Sequence, residues 1–140
     1  EAWAEGAGTI HGIYARGFPN LLMFSLIQGG TAANYLHTTD EVAIHVAYVI
    51  KHMKDMDAQT FEPTEEGQQN WMNVLFTHLM ENAKTVNECT PGFYNNEGAI
   101  ADPNLARNAA FTGGTMRYIN TLRDWRSTNS LEGIDISKKS

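Results

Sequence analysis

The stretch GFPNLLMFSLIQGGTAANYLHTTDEVAIHVAYVIKHM, from Gly17 to Met53, predicts the unit around which the rest of the chain is arranged. It reads as an apolar strand, a glycine-rich turn and an amphipathic helix. Leu21–Ile27 is apolar at six of seven positions, which is typical of a strand buried on both faces of a sheet. Gly29 and Gly30 end this run. The stretch therefore predicts an α/β protein.

A capping sequence predicts where the helix begins. In Thr38-Thr39-Asp40-Glu41, the Thr38 hydroxyl is placed to accept from the Glu41 N–H while the Glu41 side chain reaches back. The apolar residues that follow recur at helical spacing and predict one buried face, formed by Val42, Val46, Val49, Ile50 and Met53.

A glycine turn followed by a helix start has a chemical use. Glycine lets a ligand approach the backbone closely, and the helix start directs N–H groups and partial positive charge to the same place. Such a unit suits an anion or the electron-rich edge of a ring. The alternative is an ordinary turn, because most strand–turn–helix units bind nothing there.

The composition of the chain indicates which partners and which cellular compartment to expect. The chain has 140 residues and a net charge of −6, which argues against nucleic acid or an anionic membrane as a partner. Its single cysteine, Cys89, excludes an internal disulfide and favours a reducing cytoplasm. No apolar run is long enough to span a bilayer, and the acidic start does not resemble a signal peptide.

Two further helices and two short strands are expected. Thr64 is a candidate N-cap for a second helix, whose apolar stripe contains Trp71, Met72, Leu75, Phe76, Leu79, Met80 and Ala83. A third helix is expected near Thr115–Arg126, with Met116, Ile119, Leu122 and Trp125 facing inward and Arg117, Arg123, Asp124 and Arg126 facing outward. Short strands are expected at Ile10–Tyr14 and within Leu131–Ile136.

Three strands are few for this number of helices. A central strand buried on both faces needs neighbours, and a lone short pair is marginal in water. The strands are therefore expected to belong to a larger sheet, and the chain to be a fragment of a longer polypeptide.

A long loop is expected between Asn87 and Asn104, where Pro, Gly and Asn are frequent. Phe93 and Tyr94 lie within it. Either they anchor the loop to the core or they flank a ligand. Metal binding is not expected, because Glu41 and His45 provide only two ligands at helical spacing. An activated cysteine is not expected either, since no cationic residue adjoins Cys89.

Five motifs in this chain resemble one family in order and spacing. They are GFPNL at Gly17–Leu21, QGGTAAN at Gln28–Asn34, TPGFYNNEG at Thr90–Gly98, GGTMRYINTLRDWR at Gly113–Arg126 and LEGIDI at Leu131–Ile136. The chain resembles the C-terminal region of flavin-dependent Baeyer–Villiger monooxygenases, in the branch that acts on large cyclic ketones and steroids. These enzymes use FAD, NADPH and O₂ to insert an oxygen atom beside a ketone carbonyl.

The resemblance implies a fold class and a missing partner. It implies a mostly helical C-terminal fragment of an α/β flavoprotein with two dinucleotide-binding domains. Residues 1–58 would complete the FAD-binding domain, and residues 59–140 would form a helical and loop extension. The glycine fingerprints, the family signature and the arginine and aspartate of the reacting centre would lie upstream, in the N-terminal part of the same polypeptide. No catalytic residue is therefore expected in this chain.

The resemblance also implies roles for individual residues. Those expected to contact the cofactor are Gln28, Gly29, Gly30, Asn34 and Tyr35. Those expected on the substrate side are Thr31, Leu36, Phe93, Tyr94 and Asn95. Two departures stand out, since many members read GPxS or GPN where this chain reads QGG, and many carry a Trp in the loop where this chain has none.

Two alternatives remain open at this point. One is a related flavin monooxygenase that oxidises nitrogen or sulfur. The other is a stand-alone helical interaction module, which would fold alone as a monodisperse species. The fragment interpretation instead predicts exposed apolar surface on Leu21–Ile27 and aggregation of the isolated piece.

Overall fold

The computed structural model describes residues 3–4, 6–88, 90–92, 97–98 and 104–138. Helices dominate these ranges, as predicted, and the strands are few and short. In chain order the elements are β1 (Thr9–Ile10), β2 (Tyr14–Ala15), α1 (Tyr35–Asp55), β3 (Ala58–Pro63), α2 (Glu65–Glu81), α3 (Ala83–Glu88), α4 (Leu105–Asn108), α5 (Thr115–Ser127) and β4 (Ile134–Lys138).

The strands form two antiparallel pairs. β1 pairs with β2 with Ile10 opposite Tyr14, and β3 pairs with β4 with Phe61 opposite Ile136. The strand predicted within Leu131–Ile136 is confirmed by β4. The single strand predicted over Ile10–Tyr14 is wrong, because residues 11–13 form a turn and the two end residues pair with each other across it. β3 was missed, because its partner strand, β4, lies at the other end of the chain.

The prediction of a strand over Leu21–Ile27 is wrong for this structure. Within this run, Leu22 forms an isolated bridge with Tyr14, and the Met23 N–H donates to the Ile13 carbonyl at 2.8 Å. A strand needs backbone partners along its length, and no neighbouring strand in the described residues supplies them beyond this point. The apolar composition was correct, but the inferred pairing was not.

α1 begins one turn earlier than predicted. Asn34 occupies the N-cap position, and Thr38 lies inside the helix rather than at its start. The predicted capping box does not form, because the Glu41 carboxylate is drawn to arginines of α5 instead. The apolar face is largely confirmed, although Ile50 is 40% exposed.

α2 confirms its predicted cap but only part of its apolar stripe. The Thr64 hydroxyl accepts from the Gly67 N–H at 2.9 Å. Trp71, Leu75 and Leu79 are buried in the core. Phe76 and Met80 are more than half exposed, so the predicted stripe was too wide.

The predicted inward and outward faces of α5 are also only partly confirmed. Ile119 and Leu122 are fully buried, as predicted, and Trp125 is partly buried against the core. Met116 is 55% exposed, so its predicted inward position is wrong. Two arginines expected to face outward, Arg123 and Arg126, instead pair with α1.

Aromatic side chains fill the core where the three long helices meet the two strand pairs. Trp71 stacks on Phe111 with ring centroids 5.7 Å apart and planes 10° from parallel. Tyr118 packs against both of these rings. Tyr14 meets Phe61 edge to face. Among the helices described, none combines the length and the apolar character needed to cross a membrane.

Candidate cofactor-facing turn

The turn formed by Gly29 and Gly30 is held in the fold by backbone contacts with the segment between α4 and α5. The Gln28 N–H donates to the Ala109 carbonyl at 2.8 Å, and the Gly29 carbonyl accepts from the Phe111 N–H at 2.9 Å. Gly30 also forms an isolated parallel bridge with Phe111. Residues far along the chain therefore fix the path of the turn.

The side chain of Gln28 anchors this turn from within. It is fully buried, and its carbonyl oxygen accepts from the hydroxyl of Thr9 at 2.7 Å and from the N–H of Thr9 at 3.1 Å. Its amide nitrogen donates to the carbonyls of Ala7 and Arg107 at 2.6 and 3.0 Å. The Trp71 indole N–H donates to the backbone carbonyl of Gln28 at 3.2 Å. The polar groups of Gln28 thus have partners within the chain, and the contact with a cofactor expected for Gln28 stays a prediction.

Packing within the chain requires glycine at both turn positions. A Cβ atom at Gly29 would lie 2.4 Å from the carbonyl oxygen of Ser25. A Cβ atom at Gly30 would lie 2.2 Å from Cδ1 of Tyr118. Sequence reasoning explained these glycines by the close approach of a ligand. Because the contacts within the chain already explain them, the glycines by themselves do not identify a ligand site.

The start of α1, by contrast, is open to the outside. The Asn34 side chain makes no capping hydrogen bond, and the first turn contains no acidic residue. Tyr35 and Leu36 are 43% and 76% exposed. The first N–H groups of a helix lack intrahelical acceptors and carry partial positive charge. This end of the helix therefore fits an anion or an electron-rich ring edge.

A small cleft connects the turn to the helix start. Gly30 and Tyr35 both line it, together with Phe24, Thr38 and Tyr118. The structure therefore brings together two of the predicted cofactor-contacting residues, Gly30 and Tyr35. The Thr38 hydroxyl is buried and has no hydrogen-bond partner among the described residues.

Sequence comparison relates the chain to monooxygenases, although no protein-family model matches it. It is 33% identical over 136 residues to pentalenolactone D synthase of Streptomyces exfoliatus, which covers 97% of this chain and 23% of that protein. It is 31% identical over 147 residues to an FAD-binding monooxygenase of Aspergillus calidoustus, which covers 96% of this chain and 22% of that protein.

Structural comparison gives the same result. The polycyclic ketone monooxygenase of Thermothelomyces thermophila matches with a TM-score of 0.82 at 34% identity, over 98% of this chain and 22% of that chain. Over nearly its whole length, this chain is similar to a segment of flavin-dependent monooxygenases of the Baeyer–Villiger type. A steroid monooxygenase solved with NADP shares the fold with a TM-score of 0.75 at 20% identity, over 99% of this chain and 25% of that chain. The segment thus spans a quarter or less of the length of these relatives.

Three predicted substrate-side residues, Phe93, Tyr94 and Asn95, lie outside the described residues. The other two, Thr31 and Leu36, lie close to the turn in sequence. The Thr31 carbonyl accepts from the Thr115 hydroxyl at 2.7 Å. The predicted contacts of these residues with substrate stay predictions.

Sequence reasoning missed a buried ion cluster that joins α1 to α5. Glu41 is 4% exposed and accepts hydrogen bonds from Arg123 at 2.8 Å and from Arg126. Burial acts to raise the pKa of Glu41, but the hydrogen bonds from Arg126 and Arg123 outweigh it and lower the pKa below its usual value. The glutamate is therefore ionised and holds the two helices together.

His45 and His11 extend this cluster into the core. His45 Nδ1 lies 3.3 Å from Arg126 Nη1, and the His45 and His11 rings lie 5.4 Å apart. Burial, followed by the charge of Arg126, lowers the pKa of His45 to about 3. Burial and the neighbouring His45 lower the pKa of His11 well below its ordinary value. One signal was visible in the sequence, because Glu41 and His45 are four residues apart, but their partners on α5 were not.

Proposed function

We propose that this chain is the flavin-facing C-terminal part of an FAD- and NADPH-dependent monooxygenase that inserts one oxygen atom from O₂ beside a ketone carbonyl to give an ester or lactone. The observation that carries the proposal is the 34% identity, with a TM-score of 0.82, to a polycyclic ketone monooxygenase across nearly the whole chain. Bound FAD would supply the oxygen chemistry, and NADPH would supply the electrons.

The chain's own part in this reaction is to hold the flavin edge. The open start of α1 directs backbone N–H groups and partial positive charge outward, next to Asn34 and Tyr35. Reduction of a flavin places negative charge on its pyrimidine edge, and preorganised donors at that edge stabilise the charge. Thr31 and Leu36 would then lie on the substrate side, with Phe93, Tyr94 and Asn95 contributed by the loop.

The rest of the proposal concerns organisation. Residues 1–58 would complete the FAD-binding domain, and residues 59–140 would form the extension that supports it. The partner would be the N-terminal part of the same polypeptide, which would carry the catalytic residues. The cytoplasmic setting predicted from cysteine usage belongs to the same proposal.

The substitution Asn34→Asp in the full-length protein tests the role of the helix start. Aspartate is as good an N-cap as asparagine, so the helix itself is expected to keep its stability. A new negative charge beside the flavin edge would disfavour the reduced, anionic flavin. We expect the bound FAD to have a more negative reduction potential and to be reduced more slowly by NADPH.

The matched control is Asn73→Asp, the same change on the exposed face of α2. Spectroelectrochemical titration of both variants gives the comparison, with FAD content measured alongside. If Asn34→Asp leaves the flavin potential as unchanged as Asn73→Asp does, the start of α1 does not face the flavin.

A further inference from the structure

The hydroxyl of Thr115, the first residue of α5, fixes the backbone that follows the glycine turn. It donates to the Thr31 carbonyl at 2.7 Å. A peptide unit is planar, with its N–H pointing opposite to its carbonyl. A bond that fixes the Thr31 carbonyl therefore also fixes the direction of the Ala32 N–H, which points away from the Thr115 hydroxyl.

Tyr118 lies one helical turn after Thr115 on α5 and packs against the glycine turn. Its ring occupies the space where a Cβ atom of Gly30 would lie, with Cδ1 at 2.2 Å from that position. Its hydroxyl donates to the His11 carbonyl at 2.7 Å. Burial raises the pKa of Tyr118, so the hydroxyl stays protonated and remains a donor. The ring is therefore held at both ends.

The same helix also holds α1. Arg123 and Arg126 lie further along α5 and both bind the buried carboxylate of Glu41 on α1. The turn and the helix start, which together form the candidate site, are thus both attached to α5. No residue of α5 was among those predicted to contact cofactor or substrate.

We infer that Thr115 and Tyr118 are positioning residues that set the Gly30–Ala32 backbone at the flavin edge. The inference rests on the proposed function and goes further, because it assigns the geometry of the flavin edge to α5. Thr115 acts through the Thr31 carbonyl, and Tyr118 acts through Gly30. Neither residue needs to touch the flavin.

The first experiment compares Thr115→Val with Thr115→Ser in the full-length protein. Valine keeps the shape of threonine but cannot donate, whereas serine keeps the donor. For Thr115→Val we expect FAD affinity to fall about fivefold, the weight of one hydrogen bond. We also expect a larger share of the NADPH consumed to yield hydrogen peroxide instead of ester. Thr115→Ser is expected to leave the FAD affinity and the share of NADPH that yields peroxide close to those of the unaltered protein.

The matched control is Thr121→Val, because the Thr121 hydroxyl donates to the Arg117 carbonyl of its own helix and has no other hydrogen-bond partner in the part of the chain that the structure describes. A merely structural role for Thr115 would lower the thermal unfolding midpoint without changing the ratio of peroxide to ester. The inference is overturned if Thr115→Val matches Thr121→Val in FAD affinity and in that ratio. The proposed function is overturned by a different result, namely that the unaltered full-length protein binds no FAD.

The second experiment uses Gly30 and Tyr118 as a pair. Gly30→Ala is expected to displace the turn and perturb the flavin absorbance spectrum, because the new methyl group meets the Tyr118 ring. Tyr118→Phe keeps the ring and is expected to fold, but it loses the bond to His11. Combining Gly30→Ala with Tyr118→Leu, which removes the ring, is expected to recover part of the spectrum. Strictly additive effects would show that Tyr118 does not set the turn.

Discussion

Gln28 shows at the scale of one residue that a motif typical of a ligand turn can also have a structural role within the chain. The QGG motif drew attention as a ligand turn, yet the Gln28 side chain ties together β1, α4 and the start of the turn. It does so in the left-handed backbone conformation, with φ at 58°, which is unfavourable for a residue with a Cβ atom. The buried hydrogen bonds of its amide offset that strain.

The buried histidines give a prediction at the same scale. In the unfolded chain, His45 is protonated once the pH falls below its ordinary pKa of 6.5. In the folded chain, the pKa of His45 is about 3, so the ring stays neutral until the pH is near 3. The unfolded state therefore binds more protons in that window, and stability falls as the pH drops through it. When the pH falls from about 7.5 to about 5, the buried neutral His45 is expected to lower the free energy of unfolding of the full-length protein by about 2 kcal/mol.

Thermal unfolding of His45→Gln at the two pH values measures this cost. The variant is expected to lose less stability on acidification than the unaltered protein. His37→Gln changes an exposed histidine and is the control. An equal loss in the unaltered protein and in His45→Gln would contradict the assignment of a neutral, buried His45.

The contact between α1 and α5 is the decisive feature at the scale of elements. Glu41 is buried, and the two arginines differ in exposure, with the Arg126 side chain 14% and the Arg123 side chain 52% exposed. A buried carboxylate that loses its buried partner becomes an uncompensated charge. An exposed partner contributes much less, because water screens it.

Replacing the two arginines one at a time tests this difference. Arg126→Met is expected to lower the stability of the full-length protein by about 3 kcal/mol, and Arg123→Met by about 1 kcal/mol or less. Differential scanning fluorimetry of both variants at neutral pH provides the comparison. Equal shifts of the unfolding midpoint would mean that burial does not decide the strength of the cluster.

The whole molecule carries an apolar surface around the candidate site. Leu21 and Phe24 are 39% and 52% exposed, so the exposure predicted for Leu21–Ile27 is confirmed at two of its positions, and Leu36 is 76% exposed. Apolar side chains exposed close together mark a surface that associates with another. In the proposed full-length enzyme, this surface would pack against the N-terminal part of the polypeptide.

The isolated chain of 140 residues is therefore expected to self-associate. Combining Phe24→Ser with Leu36→Ser should shift it toward the monomer, since both changes remove exposed apolar area. Combining Phe76→Ser with Met80→Ser on α2 removes comparable exposed side chains elsewhere and is the control. Size-exclusion chromatography with light scattering gives the masses. A monomer at all concentrations would favour a stand-alone module.

Local signals in the sequence determined the features that depend on near neighbours along the chain. The Thr64 cap, most of the buried apolar residues of α1, α2 and α5, and the motifs that carry the resemblance to the monooxygenases are all of this kind. A helix and its cap form within a few residues, so the pattern of those residues is enough to predict them.

Only the tertiary structure decided which distant groups meet. The β3–β4 pair, the ion cluster of Glu41, the anchoring by Gln28 and the support of Gly30 by Tyr118 each join segments far apart in the sequence. A strand needs a partner for its backbone groups, and a buried polar side chain needs a partner for its desolvated atoms. These partners come from packing rather than from spacing, so Leu21–Ile27 reads as a strand in the sequence and is not one in the fold.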